Sequence, residues 1–551
     1  MDTSETSPPR QRFDALVVGA GFGGLQALHH LRAHGLATRL VEAAPALGGT
    51  WWWNKYPGAR VDIESLEYSY GFDEEIQQAW RWSERYSPRK DVRAYLEFVA
   101  DRLDLRRDMQ FDTRIETAAW DDARRLWTLT AHSGERFEAR CVFFALGFLS
   151  EGFIPEIPGR ERFRGTLVHT SRWPEDLDLT DKRVGCVGVG ATGVQFVPEA
   201  ARIAGHLHVF QRSPNWCLPQ RNEPMRPEYE RFVKDNYAEI RRQEHEQRGA
   251  GHVLFNYEIT PSSARSPLDC TPEEREAIYR HFWKNGAIHI SRGFFGLTTD
   301  KAANDTLRDF WERQIRETVQ DPETADKLIP DFPPLTRRPC GEYGYYAAFN
   351  RDNVSLVDCK ADPIAEIVPE GVKLESGRAI ELDVLAFATG FDAGAGALRR
   401  IAVTGREGLS LDDRWAEGVR TFLGLMSDGF PNMFVLGGAQ SPAAHFSPPL
   451  LVVYQTQLAL RLIEATDAAR GGAVEPARAA VEDWTREVAA VMDKTLIAGS
   501  QSWWMSANVP GKPRQPVAYA GGFAAYRDRA ERSLAEGAQD WTLARDPAEA
   551  S

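Results

Sequence analysis

Residues 19–24 form a glycine-rich stretch, Gly19-Ala20-Gly21-Phe22-Gly23-Gly24. The same glycine spacing recurs at 188–193, in Gly188-Val189-Gly190-Ala191-Thr192-Gly193. Mostly apolar runs at 15–18 and 184–187 lead into the two turns, and helical patterns follow them. Glycines in such a turn let the backbone approach a pyrophosphate, which then rests on the helix N-terminus. One copy alone is also compatible with an ordinary strand-to-helix turn. Two copies in the same context predict two dinucleotide-binding α/β units.

The residues that follow each turn carry opposite charges. After the first turn, a strand at 38–41 ends at Glu42, whose carboxylate suits a ribose 2′-hydroxyl. After the second turn, a strand at 206–210 leads to Arg212 and Ser213, which suit a 2′-phosphate. The sequence therefore predicts an unphosphorylated dinucleotide in the first unit and NADP in the second. A flavoprotein that carries FAD and is reduced by NADPH fits this pair.

Length and charge exclude several classes of protein. At 551 residues the chain is too long for one hydrophobic core, so more than one domain is expected. Its net charge of −13 argues against a nucleic-acid or anionic-membrane partner. The first twelve residues lack an apolar signal region, and no apolar run approaches the roughly 18 residues of a membrane span. We expect a cytoplasmic protein without a membrane partner, as a monomer or weak homo-oligomer.

The cysteines form no CxxC pair and no metal-ligand spacing; they are Cys141, Cys186, Cys217, Cys270, Cys340 and Cys359. A CxxC pair would be expected of the disulfide oxidoreductases, the other large class built on two dinucleotide-binding units. The sequence therefore argues against that class. Reduced thiols in the core and no metal site are expected.

Strand and helix patterns predict how the chain divides. Alternating strands at 114–146 and a later strand at 384–392 both run into a glycine, so the chain crosses twice between the two units. The second Rossmann-like unit is then inserted into the first, and charged stretches with helical spacing predict a helical insertion within the second. The expected domains are an FAD-binding domain at 13–150 plus 386–540, an NADP-binding domain at 151–222 plus 335–385, and the helical insertion at 223–334.

Two further blocks resemble the type I Baeyer–Villiger monooxygenases. The stretch Phe163-x-Gly165-x-x-x-His169-x-x-x-Trp173-Pro174 matches the short signature of that family, and 48–62 matches its Gly-Gly-x-Trp…Tyr-Pro-Gly…Asp signature. The stretches 337–354 and 502–513 are similar to two more family blocks. Related monooxygenases that oxidise nitrogen or sulfur share both glycine turns but usually lack the Trp-Pro pair. Trp173-Pro174 and Arg338 therefore discriminate between the two groups.

The resemblance implies a reaction. NADPH reduces FAD, the reduced flavin takes up O₂ to form a C4a-peroxide, and the peroxide converts a ketone into an ester or lactone. Arg338, held by Asp62, is implied as the fixed cation that keeps the peroxide anionic and stabilises the oxyanion of the adduct. Composition alone would make Arg338 a surface cation beside Pro339. Two alternatives stay open: an oxygenase of sulfur or nitrogen, and a flavin-bound NADPH sensor with oxidase activity.

The resemblance also implies further contacts. Arg337 would reach the 2′-phosphate, and Trp503 would hydrogen-bond the ribose on the nicotinamide side, although plain packing of Trp503 is the alternative. His169 is expected in the hinge between the domains rather than as a general base, together with Phe163, Gly165, Trp173 and Pro174. The full predicted cofactor set is Gly19, Gly21, Gly24, Glu42, Gly49, Thr50, Trp51, Asp62, Tyr68, Gly188, Gly190, Thr192, Gly193, Gln195, Arg212, Ser213, Arg337 and Trp503.

The segment 440–449 matches the position of the substrate-lining loop of that family. Its prolines and the pair His445-Phe446 predict a shaped, partly apolar wall. The sequence leaves open whether the ketone is small and cyclic, aromatic, macrocyclic or a steroid.

Overall fold

Strands and helices alternate along the chain, which a computed structural model describes over residues 11–246, 265–286, 288–468, 472–535 and 539–543. The strands are β1 (Gln11–Val18), β2 (Thr38–Val41), β3 (Met109–Gln110), β4 (Ile115–Asp121), β5 (Leu126–Ala131), β6 (Arg136–Phe144), β7 (Thr166–His169), β8 (Arg183–Val187), β9 (His206–Gln211), β10 (Cys217–Pro219), β11 (Cys340–Glu342), β12 (Val354–Asp358), β13 (Ile364–Val368), β14 (Gly371–Leu374), β15 (Ala379–Glu381), β16 (Val384–Phe387), β17 (Ala402–Thr404), β18 (Met433–Val435), β19 (Val474–Pro476) and β20 (Trp541–Leu543).

The helices occur between these strands. They are α1 (Phe22–Ala33), α2 (Thr50–Trp53), α3 (Glu74–Ala79), α4 (Arg89–Arg102), α5 (Ala191–Ile203), α6 (Pro227–Asp235), α7 (Tyr237–His245), α8 (Pro272–Asn285), α9 (Lys301–Thr318), α10 (Pro322–Leu328), α11 (Tyr345–Ala348), α12 (Leu411–Arg414), α13 (Pro448–Ala468), α14 (Arg478–Met492) and α15 (Phe523–Ser533).

The first glycine turn lies in a mixed sheet that, over the described residues, has the order β17-β4-β5-β6-β1-β2-β3. Strand β1 is parallel to β2 and β6, and strands β4, β5 and β6 form an antiparallel meander. Strand β17 pairs with β4, and β18 pairs with β6. The C-terminal part of the chain therefore returns to the first sheet after the second sheet has been built.

The second glycine turn lies in a parallel sheet with the order β12-β9-β8-β16-β7. The succession β8, turn, α5, β9 repeats the succession β1, turn, α1, β2 of the first unit. An antiparallel sheet of β13, β14 and β15 packs on it, since Val372 and Ile380 share a buried cluster with Phe387. Strands β8 and β16, inside this sheet, are buried along most of their length, which explains why they are mostly apolar.

The two connections between the sheets lie side by side. The Phe153 amide donates to the Gly390 carbonyl at 2.9 Å, and the Asp392 amide donates to the Glu151 carbonyl at 2.9 Å. The second unit is thus inserted into the first through a paired crossing. The domain boundaries given above stay a prediction, and within them residues 247–264, 287, 469–471 and 536–538 lie outside the described residues.

The helices α6 to α10 contact both units. Tyr229 and Val233 of α6 pack into the core of the first unit, whereas Leu307 and Trp311 of α9 pack into the core of the second. The buried residues of α9 recur at the spacing of one helix face, so packing rather than intrinsic propensity stabilises it. Among the residues that the structure describes, no helix is long and apolar enough to span a lipid bilayer.

Candidate active site

A cavity of about 1460 Å³ lies between the two glycine turns. Sites for one drug-sized ligand measure roughly 300–1,000 Å³, so this cavity has room for more than one ligand. Most of the predicted site residues line it: Gly19, Gly21, Glu42, Gly49, Thr50, Trp51, Asp62, Tyr68, Gly188, Gly190, Thr192, Gln195, Arg212, Ser213, Arg337, Arg338 and Trp503. The fold thus brings distant parts of the chain to one place.

The glycines of the first turn have different tasks. Gly19 has φ +107°, and a Cβ there would lie 2.5 Å from the Ala145 carbonyl oxygen. A Cβ at Gly24 would overlap the Gly19 carbonyl oxygen. A Cβ at Gly21 would reach only Gly49 Cα, at 3.4 Å, on the side of the cavity. The first and third glycines therefore allow the tight turn, and the second lets a ligand approach the backbone.

The second turn has the same division of tasks. Gly188 has φ +104°, and its Cβ would lie 2.6 Å from the Ala388 carbonyl oxygen, whereas a Cβ at Gly193 would overlap the Gly188 carbonyl oxygen. A Cβ at Gly190 would have no atom of the described chain within 4 Å. Gly21 and Gly190 are also the N-caps of α1 and α5, where they provide no side chain to the first amides. Both turns therefore fit the pyrophosphate of a dinucleotide.

Glu42 is fixed at the end of β2, beside the first turn. Its side chain accepts hydrogen bonds from the Ala20 amide at 2.6 Å and from the Ala44 amide at 2.8 Å. The residue is only 5% exposed, and burial raises the pKa of its carboxyl group against these hydrogen bonds. The carboxylate that is predicted to contact the first ribose is therefore held in place by the backbone.

Arg212 and Arg337 bring two cations to the other end of the cavity. Arg212 is exposed, whereas the Arg337 guanidinium lies 4.0 Å from the centre of the Phe332 ring. Burial lowers the pKa of Arg337, Asp331 opposes the change, and the charge of Arg212 lowers the pKa further. The Asp331 carboxylate accepts from Lys360 at 2.9 Å. Two like charges at one place suit an anion with more than one charge.

Arg338 and Asp62 form a two-point ion pair in the wall of the cavity. Arg338 Nε donates to Asp62 Oδ2 at 2.9 Å, and Arg338 Nη2 donates to Asp62 Oδ1 at 2.8 Å, across a sequence separation of 276 residues. Burial opposes the charge of Arg338, but Asp62 outweighs burial and raises the pKa of the guanidinium. Nearby, burial raises the pKa of Tyr68 to about 12. The site thus holds a permanent cation beside a protonated phenol.

The fold positions this ion pair from two sides. Arg338 lies just before β11, which pairs with β10, and Asp62 lies in the loop after α2. Gln220, directly after β10, donates from Nε2 to the Asp62 carbonyl at 2.9 Å. The strand pair therefore holds both partners, one through the chain and one through a hydrogen bond.

Gln195 joins the two units where they meet at the cavity. Its Oε1 accepts from the Tyr56 hydroxyl at 2.8 Å, and its Nε2 donates to the Arg60 carbonyl at 3.1 Å. A Cβ at Gly58 would overlap the Gln195 carbonyl oxygen, so the Tyr-Pro-Gly stretch packs directly on α5. A cofactor contact by Gln195 stays a prediction, while its contact with the other unit is plain.

The signature of Phe163, Gly165, His169, Trp173 and Pro174 lies behind the cavity wall, and none of its members lines the cavity. His169 Nδ1 hydrogen-bonds the Ser171 hydroxyl at 2.8 Å, and its ring centre lies 5.8 Å from that of Phe391 in the second crossing. Burial lowers the pKa of His169, so the ring is neutral near pH 7. The position suits the predicted hinge role rather than a general base.

The expectation for the loop 440–449 is wrong in its side chains. His445 and Phe446 are buried away from the cavity, where Phe446 stacks on Phe523 at 4.3 Å and His445 lies 4.8 Å from the Trp504 ring. Ala443, Ala444 and Pro448 line the cavity instead. Burying two large side chains in the core removes more apolar surface from water than placing them in a cavity wall. The loop therefore turns these rings into the core and its small residues toward the cavity.

Sequence reasoning missed several cavity residues. Arg172 lies at a variable position of the signature, and its guanidinium lies 3.9 Å from the centre of the Trp53 ring. Burial lowers the pKa of Arg172, and the nearby Arg114 lowers it further. Cys340 and Asn508 also line the cavity, and Asn508 donates to the Phe391 carbonyl at 2.9 Å. The one available signal was that each of them adjoins or falls within a motif.

The chain is similar to known proteins over nearly its whole length. Residues 13–252 match the family model described as pyridine nucleotide-disulphide oxidoreductase. The chain is 39% identical to a Baeyer–Villiger monooxygenase of Pseudooceanicola batsensis over 98% of this chain and 97% of that protein. It is 38% identical to a phenazine N-monooxygenase of Lysobacter antibioticus over 98% of each. The solved structure of an oxidized steroid monooxygenase bound to NADP has a TM-score of 0.90 at 40% identity, covering 97% of this chain and 100% of that one.

Proposed function

The chain belongs to the family of Baeyer–Villiger monooxygenases, and from that premise we propose that Arg338 and Asp62 carry the reaction in this protein. The protein is an NADPH-dependent flavin monooxygenase that uses FAD and O₂ to convert ketones to esters or lactones. The observation that carries the proposal is the two-point ion pair in the wall of the shared cavity.

The residues around the two turns fit the two cofactors. Gly21 and Glu42 would hold FAD, with Thr50, Trp51 and Tyr68 along its ring system. Arg212, Ser213 and Arg337 would hold the 2′-phosphate of NADP, and Trp503 would contact the ribose on the nicotinamide side. Bound FAD, once reduced by NADPH, would activate O₂ so that one of its oxygen atoms can be transferred to the ketone.

Arg338 would act on the substrate carbonyl. When a nucleophilic oxygen adds to a ketone, the carbonyl oxygen becomes an oxyanion, and a preorganised donor nearby lowers the barrier. A guanidinium suits this role because it stays charged at any working pH. The ion pair with Asp62 uses the N–H of Nε and one N–H of Nη2, so both N–H groups of Nη1 and the second one of Nη2 are left to donate to the oxyanion.

Asp62 would fix the direction of that donor. A lone arginine side chain explores many rotamers, whereas two parallel hydrogen bonds to one carboxylate fix the plane of the guanidinium. The Gln220 hydrogen bond to the Asp62 backbone extends this support to β10. We therefore assign Asp62 as a positioning residue.

The proposal is tested by comparing Arg338→Ala with Arg337→Ala. The two arginines are adjacent in the sequence, but Arg338 pairs with Asp62 whereas Arg337 lies near Asp331. We expect Arg338→Ala to lower ester formation by about 100-fold or more, the usual cost of losing one oxyanion donor, with the FAD content unchanged. Arg337→Ala should instead raise KM for NADPH and leave kcat near that of the wild type. Ester formation by FAD-loaded Arg338→Ala at the wild-type rate would refute the proposal.

The likeness to a phenazine N-monooxygenase favours a second candidate activity, oxygen transfer to a ring nitrogen. Such a transfer requires an electrophilic oxidant and forms no carbonyl oxyanion, so Arg338 has less to contribute. A panel of ketones, sulfides and nitrogen heteroaromatics, incubated with NADPH under air and analysed by mass, separates the two activities. Arg338→Ala should lose the ester products far more than any N-oxide. The oligomeric state and the compartment inferred from the sequence stay predictions.

A further inference from the structure

Two cysteines face each other on the strand pair that supports the Arg338–Asp62 ion pair. Strands β10 and β11 pair in parallel with Cys217 directly opposite Cys340, and both are free thiols. Paired strands lie about 4.8 Å apart, which falls within the Cα separation of roughly 4.4–6.8 Å that a disulfide spans. Burial, and after it the neighbouring Cys340, raise the pKa of the Cys217 thiol, so the two sulfurs lie near each other. A disulfide between these two cysteines would therefore require no rearrangement of the strands.

The two thiols have different access. Cys340 lines the cavity, two residues after Arg338, whereas Cys217 lies behind it in the core. The Asn215 amide nitrogen lies 3.0 Å from Cys340 Sγ and donates to it. Arg338 is near enough for its charge to interact with Cys340. A hydrogen-bond donor and a cation thus lie beside the Cys340 sulfur, and reactive cysteines occur in electropositive surroundings of this kind.

A third cysteine provides an internal contrast. Cys359 also lines the cavity and is more exposed than Cys340. Burial together with the carboxylates of Asp358 and Asp362 raises the pKa of Cys359 to about 11, so this thiol keeps its proton. If access alone decided reactivity, Cys359 would be oxidised first. If the surrounding charges decide it, Cys340 would be.

We propose that Cys340 is a peroxide oxidation site and that Cys217 is its resolving thiol. The sulfur of Cys340 attacks one oxygen of hydrogen peroxide, the O–O bond breaks, and sulfenic acid and water form. The sulfur of Cys217 then attacks the sulfenic sulfur, the S–O bond breaks, and a disulfide and a second water form. Two thiols lose two electrons and two protons, and one peroxide becomes two waters.

The bridge would form in the strands that position Arg338. Arg338 lies two residues before Cys340, the first residue of β11, and Gln220, which supports Asp62, lies immediately after β10. A disulfide between these strands would link the two supports of the ion pair covalently. Peroxide released into the cavity would thus form a disulfide in the strands that support Arg338.

The test is peptide mapping of the FAD-loaded wild-type enzyme after addition of hydrogen peroxide, without NADPH or ketone. Because the oxidant is added directly, the result does not depend on the proposed roles of Arg338 and Asp62. We expect a Cys217–Cys340 cross-linked peptide, lighter by two hydrogen atoms and restored by a thiol reductant. Cys359→Ser should form the same cross-link.

Two variants separate the steps. Cys217→Ser should stop at Cys340 sulfenic acid, which a dimedone label captures, and Cys340→Ser should leave Cys217 unmodified. Oxidation of Cys359 ahead of Cys340 in the wild type would overturn the proposal. So would oxidation of Cys340 in the wild type to sulfinic acid without a cross-link. The wild-type map decides the matter even if a serine variant fails to fold.

Discussion

The two glycine turns share one backbone geometry, yet the residues that would contact the two riboses are held differently. Gly19 and Gly188 have φ values of +107° and +104°. Glu42 is buried and bound by two backbone amides, whereas Arg212 is exposed. A rigid, dry contact favours a resident cofactor, and an exposed, flexible one favours a cofactor that exchanges. We therefore expect the glycines to specify a dinucleotide and the surrounding residues to decide how firmly it is held.

The supports of the two helices also differ. In α1, Gln26 donates to the Val452 carbonyl at 2.9 Å and to the Thr456 hydroxyl at 2.7 Å, so a buried helix of the same unit supports the first turn. In α5, Gln195 binds Tyr56 and Arg60 of the other unit. The first turn is thus braced within its own core, and the second depends on the contact between units.

The largest effect is expected from Gly24→Ala, which tests whether the third glycine of the first turn is required for packing. A Cβ at Gly24 overlaps the Gly19 carbonyl oxygen, which cannot move without breaking the turn. We expect a loss of more than about 4 kcal/mol of stability and no folded flavoprotein. Thermal unfolding and flavin absorbance of the purified protein measure both.

Gly190→Ala provides the contrast at the second glycine of the second turn, because a Cβ there has no atom of the described chain within 4 Å. This variant should unfold within a few degrees of the wild type but bind NADPH about tenfold or more weakly, since the methyl group occupies the approach to the backbone. If Gly24→Ala unfolds like the wild type with its FAD in place, the comparison of the turns is mistaken.

A smaller effect is expected from Arg212→Ala, which tests the proposed charge difference between the turns. Losing one cation at a phosphate should raise KM for NADPH by about 10- to 100-fold, with kcat and FAD content unchanged. KM for NADH should change little, because NADH carries no 2′-phosphate. Steady-state kinetics with both coenzymes measure the split. The exposed Arg202→Ala, on the same helix as Gln195, is the control and should alter neither KM. An equal rise for both coenzymes would contradict the assignment.

The smallest effect is a pH dependence that the two units should share. Burial lowers the pKa of His29, on α1, to about 4, and burial with the neighbouring His206 lowers that of His208, on β9, to about 4. The unfolded chain takes up these protons near pH 6.5, so it binds more protons than the folded chain below that pH. The stabilisation is complete above pH 6.5 and is lost as the pH falls toward 4.

Each histidine should contribute on the order of 1 kcal/mol, since both side chains are partly solvated. Unfolding temperatures between pH 7.5 and pH 5 should therefore fall less steeply in His29→Gln and in His208→Gln than in the wild type. The exposed His132→Gln should follow the wild type. Identical slopes in all four proteins would show that neither His29 nor His208 makes the protein less stable in acid.

Much of the fold was predictable because its signals are local. The two glycine turns, the crossing strands and the family membership are confirmed, as are FAD and NADP as cofactors. The outward or inward direction of His445 and Phe446 was not predictable. A loop sequence indicates that a wall is present, but the partners Phe523 and Trp504, which draw these rings into the core, lie far along the chain.

Local sequence patterns were enough to predict the two dinucleotide units and the opposite charges of the residues proposed to contact their riboses. These depend on glycine spacing and on residues at the end of the next strand, so each is complete within about 25 residues. The pairing of Arg338 with Asp62 was expected from the family resemblance alone, and the contact of Gln195 with the other unit and that of Cys217 with Cys340 are evident only in the folded chain. Each of these pairs depends on strand register and packing between distant segments, which local patterns do not encode.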